Sequence, residues 1–220
     1  MSDPGHVPCI LFEDEHLLVV NKPPGWNTHA PEPYAGEGIY DWLRNRCPRW
    51  ASLAILHRLD KETSGVLLFG KTPQANRSIT TQFAARQVGK RYVLLTDRLG
   101  PSKPLIVRSA VVRAGARYVC HPAPGQAPLA ETRFSPLGRF RTHTIVEAEP
   151  RTGRTHQVRA HAAAAGFPVL GDVRYGGTPA SDCPSRKISP SVGVSKPASM
   201  RIVVVLPQPD PPSRAKNSRS

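Results

Sequence analysis

The chain has 220 residues, 39% of them hydrophobic, which suits one globular domain with an appendage and a core that needs no staples. Thirty Lys and Arg against sixteen Asp and Glu leave a net charge of +14 and a pI near 10.3; such a surface attracts polyanions, so RNA, DNA and anionic membranes remain open as partners. Four scattered cysteines without a CxxC pair argue against a zinc site or a disulfide framework. The N-terminal MSDPGHVP lacks a basic-then-apolar signal pattern, and no apolar run approaches the roughly 18 residues of a membrane span. A cytoplasmic, reduced protein is the expectation.

Residues 9–21 hold two short apolar runs split by an acidic turn, and Leu17–Val20 reads as a buried strand closed by the Lys-Pro-Pro-Gly breaker at 22–25. Ile39, Trp42, Leu43 and Cys47 recur at helical spacing until Pro48 ends the run. Val66–Phe69 reads as a second buried strand. Thr72-Pro73 then starts a helix, with a hydroxyl cap and a proline at the first helical position, and Ala75, Ile79 and Phe83 form its apolar stripe. Strand-like runs follow at 90–96, 105–113, 116–121, 130–135 and 141–148, too closely spaced for helical crossovers. The expected class is therefore α+β, with a mixed, largely antiparallel central sheet and flanking helices. Residues 155–165 predict a further helix capped by Gly166.

Three segments carry chemistry. In His57-Arg58-Leu59-Asp60-Lys61, one carboxylate lies between two cations just before a buried strand. Nearby positive charge keeps an aspartate ionised, and an ionised carboxylate can serve as nucleophile or general base; the bland alternative is a surface turn with a local ion pair. Residues 151–161 (RTGRTHQVRAH) run from a strand end into a helix that places His156 and Arg159 on one face. Guanidiniums there can grip phosphates or pair with a carboxylate, and arginines in a first turn oppose the helix dipole, which favours a functional reason for them. Residues 89–95 (GKRYVLL) set Tyr92 in a strand, where it can stack on a base, move a proton or simply fill the core.

Taken in order and spacing, LLVVNKPPGWNTH (17–29), HRLDKETSGVLLFGK (57–71), GKRYVLL (89–95), RTGRTHQVRAH (151–161) and GFPVLGDVRYGG (166–177) resemble the RluA-type pseudouridine synthases, which modify ribosomal and transfer RNA. The resemblance covers roughly residues 9–177. It implies an isomerase that turns a uridine within rRNA or tRNA into its C-glycoside isomer, a monomer using neither metal nor organic cofactor and having RNA but no membrane as partner. It further implies Asp60 as the catalytic aspartate, Tyr92 as the tyrosine stacked against the base, and Arg159 as the basic partner of Asp60. Arg58 matches the arginine that enters the RNA stack where the target leaves, and His57, Arg154 and His156 are further RNA-contacting candidates. The chemistry fits: C1′ and C5 are inaccessible in stacked RNA, so the nucleotide must be flipped into a pocket.

The resemblance stops at the C-terminus. Relatives continue after this point with a segment that returns to the sheet, and residues 178–220 do not contain it. That tail has eight prolines and seven basic against two acidic residues, a composition expected to be poorly ordered apart from Arg201–Leu206 (RIVVVL), which can form a strand. The expected organisation is a C-terminally incomplete catalytic domain over 1–177 and a tail over 178–220. A catalytically impaired RNA-binding protein of the same fold is the alternative. A metal-dependent hydrolase built on His57, Asp60, His156 and His161 is disfavoured, because histidines five apart do not share a helix face as the pair in HExxH does.

Overall fold

The computed structural model describes residues 8–30, 38–122, 128–179 and, as backbone only, 200–205; the rest of the expected tail lies outside the described residues. In chain order the elements are β1 (Cys9–Glu13), β2 (Leu17–Lys22), α1 (Ile39–Arg46), β3 (Ala54–Ile55), β4 (Ser64–Gly70), α2 (Pro73–Ala84), β5 (Gly89–Thr96), β6 (Leu105–Ala114), β7 (Arg117–His121), β8 (Ala130–Phe140), β9 (His143–Pro150), α3 (Gln157–Ala164) and β10 (Met200–Val205). No described helix is long and apolar enough to cross a membrane.

The strands form one sheet in the order β1-β2-β4-β10-β5-β9-β8-β6-β7, with β3 pairing on β4. All ladders are antiparallel except that between β10 and β4. The class is α+β, as the closely spaced strand runs imply. The segment RIVVVL does become a strand, and it occupies the middle of the sheet: β10 joins β4 to β5, and Ile202 lies opposite both Gly65 and Tyr92.

Two apolar clusters lie on either side of this junction. Leu18, Val20, Ile39, Leu43, Leu67 and Phe69 belong to the first, where the i, i+4 pair of α1 meets the inward face of β2 and β4. Leu94, Phe134, Val146, Val158, Ala162 and Phe167 belong to the second, where α3 packs on β5, β8 and β9. Tyr92 packs against both.

Local sequence explains the element ends. The Thr72 hydroxyl accepts the Ala75 N–H at 3.3 Å to cap α2. The predicted strand at 130–135 ends before Pro136, yet β8 continues to Phe140: Pro136 keeps its place opposite Val146, and a bulge at Leu137 carries the ladder on from Gly138. The helix expected from 155 begins at Gln157, since His156 adopts a left-handed backbone with φ 54°.

The His161 ring is fully buried between Ser109 Oγ at 3.0 Å and Thr132 Oγ1 at 2.8 Å. Burial pulls its pKa down to about 4. The unfolded chain, with an ordinary histidine, takes up a proton below about pH 6.5 that the folded chain refuses. The stability contributed by the neutral ring is therefore complete above about pH 6.5 and lost as the pH falls towards 4. Urea titrations over that range are expected to show the wild type losing roughly 2–3 kcal/mol more than His161→Asn.

Candidate active site

Asp60 sits in the loop between β3 and β4, and the residues on either side of it are pinned by the segment after β2. The Thr28 hydroxyl donates to the Leu59 carbonyl at 3.0 Å and accepts the Leu59 N–H at 3.1 Å. The Gly25 N–H donates to the Lys61 carbonyl at 2.9 Å, with Gly25 at φ 83°, a backbone that favours glycine. Lys22 occupies an inward position of β2 and is fully buried; its ammonium donates to the carbonyls of Lys61 (2.9 Å), Trp26 (2.7 Å) and Pro23 (3.0 Å). Burial draws it down to about 7 against the opposing pull of Glu62 and Asp60, and three carbonyl acceptors match the three donors of the charged form.

From the other half of the sheet, α3 supplies Arg159. Its Nη1 donates to Asp60 Oδ2 at 2.9 Å, while Nε and Nη2 grip Asp172 Oδ2 and Oδ1 at 2.6 and 2.9 Å. Burial opposes the guanidinium charge, but the bonds to Asp172 and then Asp60 outweigh it and hold the group above its ordinary value. The Tyr175 ring lies under the guanidinium, 4.8 Å from Cζ. Side-chain exposure falls from 30% at Asp60 to 16% at Arg159 and 11% at Asp172. All three line a cavity of about 1000 Å³, into which Asp60 is the most open of them.

His156 Nε2 lies 3.7 Å from Asp60 Oδ2. Its Nδ1 meets the Tyr175 hydroxyl at 2.8 Å, and that hydroxyl accepts the Tyr118 N–H at 2.9 Å. Donation from the hydroxyl to Nδ1 satisfies all three groups and puts the imidazole proton on Nε2, facing Asp60. Burial lowers the His156 pKa, partly offset by Asp60, which keeps the ring neutral near pH 7. Tyr92 lines the same cavity from β5. Burial and then the charge of Asp60 push its phenol well above the usual tyrosine range.

The loop before α3 is held by Gln157, which is 3% exposed. Its Oε1 accepts from Thr152 Oγ1 (2.7 Å) and the Arg154 N–H (3.0 Å), and its Nε2 donates to the Glu131 carbonyl (2.9 Å) and Thr132 Oγ1 (2.9 Å). All four hydrogen-bonding positions of the amide are filled.

The structure therefore brings Asp60, Tyr92, Arg159 and His156 together, and exposed Arg58 and Arg154 line the same cavity. His57 also lines it, but its Nε2 accepts the Leu68 N–H at 3.1 Å, and burial lowers its pKa to about 4, so the ring is a neutral brace on β4. His161 is engaged by Ser109 and Thr132. Lys22, Thr28, Gln157, Asp172 and Tyr175 are site residues that the sequence does not single out; all five lie within the segments that carry the resemblance, each as a polar residue at an otherwise apolar or turn position.

Residues 16–164 match the family model described as RNA pseudouridylate synthase. Among curated relatives, the chain is 40% identical over 172 residues to ribosomal large subunit pseudouridine synthase C of Yersinia pestis, covering 76% of this chain and 53% of that protein. To the protein of the same name from Escherichia coli it is 37% identical over 171 residues, with the same coverage. The chain spans about half the length of the curated relatives it matches. Among solved structures, human RNA pseudouridylate synthase domain containing 4 superposes with a TM-score of 0.62 at 27% identity, over 76% of this chain and 68% of that one. Human RNA pseudouridylate synthase domain containing 1 reaches 0.68 at 24% identity, over 91% and 79%, and supports the fold.

Removing Arg159 strands Asp172 as an unpaired, largely buried carboxylate, whereas removing Asp60 leaves the Arg159–Asp172 pair intact. Arg159→Met is expected to lose about 3–5 kcal/mol and Asp60→Ala about 1 kcal/mol or less, read from urea midpoints at constant m-value.

Proposed function

The chain belongs to the RNA pseudouridylate synthase family, and on that premise we propose that it isomerises a uridine of ribosomal RNA to pseudouridine, with Asp60 as the group that acts on the ribose. The observation that carries this reading is the Asp60 carboxylate at the cavity wall, with Oδ2 held by Arg159. The names of the relatives favour ribosomal over transfer RNA.

The reaction breaks the C1′–N1 bond, turns the uracil and joins C5 to C1′; C5 loses a proton and N1 gains one. Atoms and oxidation state are conserved, so neither metal nor organic cofactor is required by the balance. Two routes use the same ionised Asp60. Its oxygen attacks C1′ and displaces N1, or it removes the 2′ proton to give a glycal. Arg159 holds Oδ2 of Asp60 in either case. Tyr92 is placed to lie against the uracil while it turns. Its phenol is held neutral by burial and then by the charge on Asp60.

Arg58, exposed at the cavity mouth, fits the space left by an extruded nucleotide, and Arg154 faces the phosphates. His156 steadies Asp60 from the second side. The catalytic unit is read as residues 1–177 completed by the strand at 200–205, acting as a monomer in the cytoplasm. A catalytically impaired RNA binder is the second reading; the assembled Asp60–Arg159 pair beside Tyr92 speaks against it.

Asp60→Asn and Asp60→Ala are expected to lower pseudouridine formation on ribosomal transcripts at least about 10³-fold, with RNA affinity within about threefold of wild type. Formation is scored by chemical labelling of pseudouridine. Full turnover by Asp60→Asn would overturn the assignment, and conversion of transfer RNA alone would move the substrate class.

A further inference from the structure

A second cavity of about 1190 Å³ adjoins the first. The two share Phe83, Lys90, Pro150, Thr152, Gly153 and Arg154 in their walls, so they are continuous. Among the described residues, six cations line the second one: Arg86, Lys90, Arg91, Arg108, Arg151 and Arg154. Its two carboxylates are already engaged, Glu131 with Arg108 at 2.7 Å and Glu149 with Arg91 at 3.4 Å. Arg86, Lys90, Arg151 and Arg154 have no carboxylate partner among the described residues.

Two of these cations are held at a cost. Lys90 is half-buried at the junction of the cavities, and burial lowers its pKa from the ordinary lysine value. Its Nζ packs so close to Gly153 that a Cβ there would lie 3.3 Å away. Arg86 follows α2 with φ 58°, the left-handed position at which helices commonly place glycine. A long cation at a backbone position suited to glycine, and a desolvated ammonium without a counter-ion, are both disfavoured in the free protein. An anion in the groove supplies the missing counter-charge to Lys90 and gives the Arg86 guanidinium a bond that offsets its backbone cost.

We propose that the second cavity receives the sugar–phosphate backbone of single-stranded RNA flanking the target uridine, with Lys90 on the phosphate at the junction and Arg86, Arg151 and Arg154 on those that follow. This rests on the RNA-modifying reading above. It assigns the cavity to the strand itself: phosphates give affinity and register, and the first cavity takes the flipped base.

The test is equilibrium binding of the full chain to oligouridylates of about twelve and about three nucleotides across a salt series. Lys90→Gln and Arg86→Gly are each expected to weaken binding of the longer oligomer about fivefold and to lower the log–log salt slope by about 0.7. The shorter oligomer should be unaffected by Arg86→Gly, since Arg86 lines only the second cavity. Arg86→Gly suits its backbone, so its Tm should equal or exceed that of wild type while affinity drops, which separates lost contact from lost folding. Unchanged slopes in a protein that still makes pseudouridine overturn the groove alone. Equal losses on both oligomers from Arg86→Gly, or equally tight binding of a polyglutamate peptide of matched charge, also overturn it. A wild type that neither binds these RNAs nor forms pseudouridine overturns the parent reading, and the groove with it.

Discussion

One guanidinium serves two carboxylates. Arg159 reaches from α3 to Asp60 on the loop before β4 and, with its other edge, to Asp172 beyond the same helix. The pairing is unequal. Asp172 takes two hydrogen bonds in a less exposed setting, which fixes the plane of the guanidinium. Asp60 takes one and remains partly open. A lone arginine beneath a lone aspartate could rotate away or quench it entirely; the second acid removes that freedom. The site thus holds a charged carboxylate at a set place, aimed outward, without surrendering both its oxygens to the protein.

The same economy recurs around it. Lys22, Thr28 and Gln157 are buried polar side chains whose bonds end mostly on backbone atoms of the loops that flank the site. Each of them is nearly or wholly satisfied, so each fixes a loop where helix or strand ladders cannot reach. The loops carrying Asp60 and Arg154 are consequently as constrained as secondary structure, which is what placing a reactive atom to within half an ångström or so demands.

Much of this was legible in the sequence, and the exceptions have reasons. Periodicity located α1, α2 and the strand pairs because each has one apolar face. The resemblance carried by the five segments pointed to Asp60, Tyr92 and Arg159 together, and the structure brings the three to one cavity. What could not be seen was that the segment around Lys22 and Thr28 and the one around Asp60 are a single unit, because the bonds joining them run from side chains to main chain and leave no complementary pattern of residue types. Asp172 was hidden for a related reason: it meets Arg159 across a chain reversal, where no helical or strand spacing applies. The far end of β8 was obscured by Pro136, which reads as a stop but keeps its place in the ladder and is followed by a bulge. His156 marks the true start of α3 through a backbone conformation that residue type alone does not disclose.

The strand at the middle of the sheet is the last of the described elements to be synthesised. A ribosome emits the loop bearing Asp60, then β5 with Tyr92, then α3 with Arg159, all before Met200–Val205 exists. Throughout that interval β4 and β5 each present an unpaired edge to the crowded surroundings of the nascent chain. Asp60, Tyr92 and Arg159 are all synthesised while the backbone link between their two halves is still missing. The frame therefore closes last, through a long-range parallel and antiparallel pairing of the kind that forms slowly, and a translational pause shortly before that strand leaves the two halves of the sheet side by side and unjoined.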